Sequence, residues 1–249
     1  MNHLFGAVIT GAHVNYCPGC CGLRFATAFR CRGRARPSAS RSHSAVENHS
    51  AGFAVVRNVR KKYFHGMNRS LTEFPVLTTD RLRLRKLAHQ DAAQVFLLRS
   101  DDSVNRYLDR PKAHSIEDAV LFIQKICGFI DNGQSFYWAI ELKEDSKFLG
   151  SVTLFNFSED HSSAEIGYEI LPSFQGKGYM HEALQAVIAF AFETAGFTKI
   201  EAVTVPGNIS SWRLLEKNNF SRNQKAEQQF EADGKPNDVI TYSRVKPGS

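Results

Sequence analysis

From Thr78 onward the chain alternates between two hydrophobic periods, and each change of period marks an element. Arg81-Leu82-Arg83-Leu84-Arg85 alternates strictly and predicts a half-exposed first strand. Ser115 is followed three residues later by Asp118, a capping-box signature, and Ala119, Phe122, Ile123, Ile126 and Ile130 then fall on one helical face. Strand signals return at residues 136–140, 149–154 and 166–171. Residues 182–193 are apolar over most of a helical surface, which predicts a helix buried against a sheet. Residues 199–205 read as another strand, Asn208 opens a further helix, and a closing hairpin is expected through residues 228–231, Asp233-Gly234 and residues 239–245. Strands and helices interleaved in this way predict an α+β (mixed α/β) class, with a mixed central sheet and helices on both faces.

Charge divides the chain where periodicity begins. Residues 1–66 carry ten Lys and Arg against one acid, Glu47, a net charge of +9, whereas residues 67–249 carry 21 against 24, a net −3. The overall +6 is therefore a property of the leader, and the remainder is not expected to bind nucleic acid directly. The arginine-rich leader has the composition of an organellar transit peptide, but Met67 directly precedes the periodic region. A disordered or non-native extension at residues 1–66, ahead of one domain at 67–249, is the favoured reading.

Cys17, Cys20, Cys21 and Cys31 all lie in the leader, and Cys17-Pro18-Gly19-Cys20 has zinc-knuckle spacing. No second such pair completes it, so no metal is expected; Cys127, alone in a helical pattern, reads as a small buried side chain. No stretch reaches about 18 continuous apolar residues. The expectation is a soluble, cytoplasmic protein without a membrane segment, as a monomer or homodimer.

Chemistry is concentrated between the strand at 166–171 and the helix that follows, in Gln175-Gly176-Lys177-Gly178-Tyr179-Met180-His181. The N–H groups of a loop that opens a helix have no intrahelical partners, and the helix dipole adds positive charge there, so the site suits a phosphate. Gly176 and Gly178 allow close backbone approach, while Gln175 and Lys177 can add donors or charge. Neither G-x-G-x-x-G nor G-x-x-x-x-G-K-[ST] is present, which excludes a Rossmann or Walker loop.

A second segment, Asn208-Ile209-Ser210-Ser211-Trp212-Arg213-Leu214-Leu215-Glu216-Lys217 with Phe220, makes the pair far more specific. Together the two segments resemble the GNAT superfamily of acetyl-coenzyme-A-dependent N-acetyltransferases, in its RimJ/RimL-like branch that modifies ribosomal-protein N-termini. Gln175-x-x-Gly178 is similar to that superfamily's pyrophosphate loop, and Asn208-x-x-Ser211 to its last helix. The likeness runs from about Leu77 to Ser243, some two thirds of the chain. It implies the GNAT fold, acetyl-CoA as co-substrate without a metal, and direct attack by a primary amine. The acceptor would be a protein N-terminus, with small amines, or a non-catalytic coenzyme-A-binding role, as alternatives.

The resemblance also implies roles. Backbone from Gly176 to Met180 would hold the pyrophosphate, with Gln175, Lys177 and Tyr179 in the loop, and the pantetheine would run along Ile170 and Leu171 to Asn208. Asn208 is equally a good helix N-cap. Ser211 would donate to the departing thiolate, since the position one turn on, where many relatives hold tyrosine, is Leu215. For a general base, alternation puts Glu165 and Glu169 on one strand face. Glu169 is chosen as nearer the loop; for Glu165, nearer the strand's outer end, a solvated polar face is at least as good a reading as a base. His181 is a third candidate, and an acid that some relatives carry before the closing turn falls here at Phe230, beside Glu231. Met180 stands where most relatives have Gly or Ala, and is expected to narrow the phosphate site. Substrate choice is expected in residues 98–111 and 156–163.

Overall fold

The computed structural model describes residue 71, residues 73–223, 229–232 and 235–248. The leader with its four cysteines lies outside the described residues, as do the side chains of Phe230 and Glu231.

The alternating arginines and leucines form β2 (Leu82–Lys86), preceded by the short β1 (Leu77–Thr78). Leu82 and Leu84 turn into the core, while Arg83 and Arg85 turn outward to Glu141 on the next strand. Helices α1 (Ala92–Ser100) and α2 (Asp102–Asn105) follow, neither of them foreseen. The capping box is present as read: Ser115 caps α3 (Ile116–Asp131), its hydroxyl accepting from Asp118 N–H while the Asp118 carboxylate accepts from Ser115 N–H. The five residues assigned to its inner face are the ones buried.

Strands β3 (Phe136–Leu142), β4 (Phe148–Phe155) and β5 (Ser163–Ile170) then form an antiparallel meander. Helix α4 (Tyr179–Ala189) begins earlier than its apolar run predicted, and its last turn, Phe190–Ala195, widens to a π-helix. That wider turn buries Phe190, Ala191, Phe192 and Ala195 together, which a 3.6-residue period does not describe. β6 (Lys199–Thr204), α5 (Ile209–Lys217) and β7 (Ser221–Arg222) follow. The expected closing hairpin is made differently: β8 (Gln229–Ala232) pairs with β9 (Lys235–Asp238), and β10 (Ile240–Val245) joins the main sheet between β6 and β7.

Among the described residues the main sheet has eight strands in the order β1-β2-β3-β4-β5-β6-β10-β7, and only β5 and β6 run parallel. The expected mixed sheet with helices on both faces is what forms. On one face Trp138, Ile140, Val152 and Ile166 pack with Leu184 and Val187 of α4. On the other, Tyr137 and Ala139 pack with Val95 and Leu98 of α1 and Ile123 and Ile126 of α3. Among the described residues no helix is long and apolar enough to cross a membrane.

One glycine sets the spacing of the strands that carry the site. Gly150 lies opposite Ile170, and a Cβ there would stand 2.1 Å from the Glu169 carbonyl oxygen and 2.8 Å from Ile170 Cα. Both obstacles are backbone, so the strands themselves would have to part. Gly150→Ala should destabilise the fold by about 3 kcal/mol. Gly128, inside α3, is the control: a Cβ there meets nothing within 4 Å, and Gly128→Ala should stabilise by about 0.5–1 kcal/mol. Denaturant unfolding of both variants checks the pair; equal effects would refute the close-approach account.

Candidate active site

The site opens where the parallel pair comes apart. β5 meets β6 at three rungs, Ser163↔Lys199, Ala164↔Ile200 and Glu165↔Glu201, and the ladder ends there. Beyond it the strands diverge around a cavity of about 410 Å³, lined by Ile166 to Ile170 on one side and Ala202 to Thr204 on the other. The glycine loop and the first turn of α5 add to its lining, as do Ser103, Val104, Tyr107 and Leu108, from and just after α2.

The loop has the geometry its composition implied. Gly176 and Gly178 take φ values of +73° and +80°, conformations that cost a side-chain-bearing residue energy, and Gly178 is the N-cap of α4. The first intrahelical bond runs from Glu182 N–H to Gly178 C=O, so the N–H groups of Tyr179, Met180 and His181 precede the ladder at the positive end of the helix. Arg81 fixes this turn from outside. Its guanidinium bonds Glu182 at 2.7 Å and the Lys177 carbonyl at 3.2 Å and stacks over the Tyr179 ring at 4.5 Å. Thr79 Oγ1 donates to the same Glu182 carboxylate at 2.5 Å.

Of the residues singled out in the sequence, Ile170, Gln175, Gly176, Gly178, Tyr179, Met180, Asn208, Ser211 and Glu169 line this one cavity. Leu171 and Lys177 are not among its lining residues: the Leu171 N–H is spent on Leu149 C=O at 2.8 Å, and the Lys177 ammonium sits over the Phe174 ring. The Gln175 amide donates to Ile170 C=O, so it closes the loop. Met180 is 6% exposed and belongs to the core beneath the loop. It also lines the cavity at the loop. Asn208 caps α5, its side chain accepting from Ser211 N–H.

The two acids of β5 differ in a way the sequence did not reveal. Glu169 Oε2 pairs with Arg110 at 2.6 Å, and Oε1 accepts from Tyr137 and Ser151 at 3.1 and 3.2 Å. Burial alone would raise its pKa, but the charges of Arg110 and Arg99 and these hydrogen bonds outweigh it and hold the carboxyl below its usual range. A carboxylate held so takes a proton poorly, the opposite of what a general base requires. Glu165 is 7% exposed, which excludes the solvated reading. Asn156 donates to its Oε2 at 2.9 Å, and its Oε1 has no hydrogen-bond partner. Burial pushes its pKa up to about 7, with the Asn156 bond opposing and the neighbouring Glu201 charge adding to the rise. His181, the third candidate, lines the cavity with its Nδ1 buried and without a partner.

Sequence reasoning missed Arg99, Arg110, Tyr137 and Ser151 around Glu169, and Tyr168, whose hydroxyl lies 2.9 Å from Ser211 Oγ. The partner of Tyr168 lies on α5, 43 residues away in sequence. Residues 98–111 do contribute cavity lining, whereas the 156–163 loop contributes the Asn156 partner of Glu165.

Known proteins are similar to this chain in sequence and in fold. A family model described as an acetyltransferase (GNAT) domain matches residues 81–221. YoaA of Bacillus subtilis, an uncharacterized N-acetyltransferase, is 35% identical over 174 residues, 70% of this chain and 98% of its own. The ribosomal protein uS5-alanine N-acetyltransferase of Escherichia coli is 27% identical over 179 residues, 69% of this chain and 91% of that one. Among solved structures, spermidine N-acetyltransferase from Vibrio cholerae, in complex with CoA and spermine, has a TM-score of 0.59 at 21% identity. The match covers 67% of this chain and 96% of that one, and is a likeness of fold.

Glu165 gives the site a stability signature. Its folded-state pKa of about 7 lies above the ordinary value of 4.5, so the folded state favours the protonated acid. The contribution of Glu165 to stability is then greatest at low pH and falls as pH rises through that window, at a cost on the order of 2–3 kcal/mol. In Glu165→Gln that fall should vanish. Melting temperatures at pH 5 and pH 8 check it: the wild type should lose more between the two than the variant, and parallel losses would contradict the burial of an ionisable Glu165.

Proposed function

The chain belongs to the GNAT acetyltransferase family and is an acetyl-CoA-dependent N-acetyltransferase; we propose that the amine it acetylates is the free α-amino group of a protein N-terminus. The observation that carries this reading is the buried Glu165 carboxyl at the last rung of the parallel ladder, bonded by Asn156 on one oxygen and by nothing on the other, a setting that pushes its pKa up to about 7. An α-amino group titrates at about 7.7–8.0, within a unit of that carboxylate, whereas a lysine at about 10.4 would leave a mismatch of more than three units. The uS5-alanine N-acetyltransferase among the relatives supports the same class of acceptor.

The residues present fit acetyl-CoA. The positive-φ glycines, the N–H groups at the start of α4 and the open edge of β5 offer donors along one continuous cavity. In this reading the backbone from Gly176 to Met180 holds the diphosphate, the edge from Ile166 to Ile170 aligns the pantetheine arm, and Asn208 borders it. A β5 N–H facing the gap polarises the thioester carbonyl. The acetyl thioester, when bound, supplies the acyl group. Glu165, at the last rung before the gap, takes the amine's proton through water, since it is not itself among the lining residues. Glu169 and Arg110 instead tie the segment after α2 to β5, which fixes Tyr107 and Leu108 at the acceptor end. Ser211 donates to the sulfur as the C–S bond breaks.

Thiol release measured over an amine panel tests the acceptor. Peptides with a free α-amine should be turned over, whereas the same peptides blocked at the α-amine but carrying lysine should not; preference for spermidine or lysine would overturn the reading. The wild-type rate should rise with pH through about 7. Glu165→Gln should be slowed by about 10²-fold at neutral pH and recover towards pH 9, where the amine is already neutral. Ser211→Ala should lower kcat by about 10²-fold with the acetyl-CoA KM unchanged, because the thiolate it stabilises exists only as the bond breaks.

A further inference from the structure

Ser211 is the third residue of α5, and a serine in a first helical turn has competing uses for its proton. It can bond back to a carbonyl one turn earlier, which removes it from the cavity. Its neighbour Ser210 shows that groups at the helix start capture hydroxyls: Ser210 Oγ donates to the side-chain Oδ1 of the N-cap Asn208 at 3.3 Å. Ser211 is placed differently. Its Oγ lies 2.9 Å from the hydroxyl of Tyr168, which reaches across from β5, and the same tyrosine hydroxyl lies 3.2 Å from the Ser211 carbonyl oxygen. Both residues line the cavity, so the paired hydroxyls belong to its surface.

We propose that Tyr168 is a positioning residue for acetyl transfer, which turns the Ser211 hydroxyl from a self-satisfied state into a donor aimed at the leaving sulfur. The two hydroxyls carry two protons and have two arrangements. In one, Ser211 donates to the Tyr168 oxygen and Tyr168 donates to the Ser211 carbonyl, so both protons are used within the protein. In the other, Tyr168 donates to Ser211 Oγ, and the Ser211 proton is free to point into the cavity. Passing between them rotates two O–H bonds and moves no heavy atom, so the second arrangement is adopted as negative charge grows on sulfur. It is therefore an interaction gained in the transition state and not in the ground state.

The balance is simple. The amine nitrogen bonds to the acetyl carbon, the C–S bond breaks with its electron pair left on sulfur, and the Ser211 hydrogen bond stabilises the thiolate until it takes a proton from solvent. The amine's own proton leaves by the base. Tyr168 ends as it began, protonated, which suits a phenol whose pKa burial raises well above the ordinary range.

The inference rests on Ser211 being the donor, and a double-mutant cycle separates the two claims. Tyr168→Phe keeps the ring and removes the hydroxyl, so it should lower kcat about tenfold with the acetyl-CoA KM and the melting temperature little changed. The double variant Tyr168→Phe/Ser211→Ala should be no slower than Ser211→Ala alone, because without the serine there is nothing left to aim. A Tyr168→Phe enzyme with full kcat, or a double variant slower than Ser211→Ala by the whole tyrosine effect, would overturn the positioning role while leaving Ser211 as donor. Full activity in Ser211→Ala would remove the serine reading itself, and the present inference with it. Tyr168→Phe that melts far lower, with kcat restored on cooling below its transition, would assign the tyrosine to the fold instead.

Discussion

β5 is bonded to β4 through six rungs and to β6 through three. β6 in turn is bonded to β10 through six, along its whole length. Each strand of the parallel pair thus follows its antiparallel neighbour, and the sheet opens along the seam between its two halves. Everything at the site follows from that opening. It leaves one edge of β5 free for hydrogen bonding, sets the glycine loop at the mouth of the gap, and lets α5 bring Asn208 and Ser211 to the cavity. Gly150 is part of the same constraint, since only a residue without Cβ lets β4 hold β5 closely enough at Ile170.

The electrostatics depend on the same seam. Glu165 and Glu169 project from one face of one strand, four residues apart, yet their environments push their proton affinities in opposite directions. Glu169 stands where the segment after α2 crosses, and Arg110, with its side chain 1% exposed, meets it there. Arg99 adds a second positive charge, buried over the Phe122 ring at 3.9 Å. Glu165 stands at the closed end of the seam beside Glu201, with an amide for a partner and, among the described residues, no cation paired with it. One acid is consequently a fixed anion of the scaffold, and the other can exchange a proton near neutrality.

Much of this was legible in the sequence, where local chemistry decides. Gly176 and Gly178 show the positive φ that the loop demands, Ser115 and Asp118 form the capping box, and Asn208 caps α5. The mixed sheet followed from the alternation of periods. What remained hidden depends on pairing between distant segments. Alternation placed Glu165 and Glu169 on one face but could not say that Asn156 would bury one and Arg110 pair with the other. The α1 and α2 segment has a weak apolar pattern, so its contribution to the cavity wall was visible only as a stretch of loop. Tyr168 and Ser211 are 43 residues apart and meet because the sheet brings β5 beside α5. The role first given to Lys177 assumed a side chain turned to the ligand, whereas it lies on Phe174.

The claim on which the account turns is that coenzyme A lies in the seam between β5 and β6 with its diphosphate at the start of α4. Hydrogen exchange of the backbone amides, with and without saturating coenzyme A, tests it most directly. The account predicts slowed exchange at the loop amides from Gly176 to His181 and at those amides of residues 166–170 that face β6, with little change on the edge of β5 bonded to β4. Unchanged exchange at both segments in the presence of bound coenzyme A would contradict it.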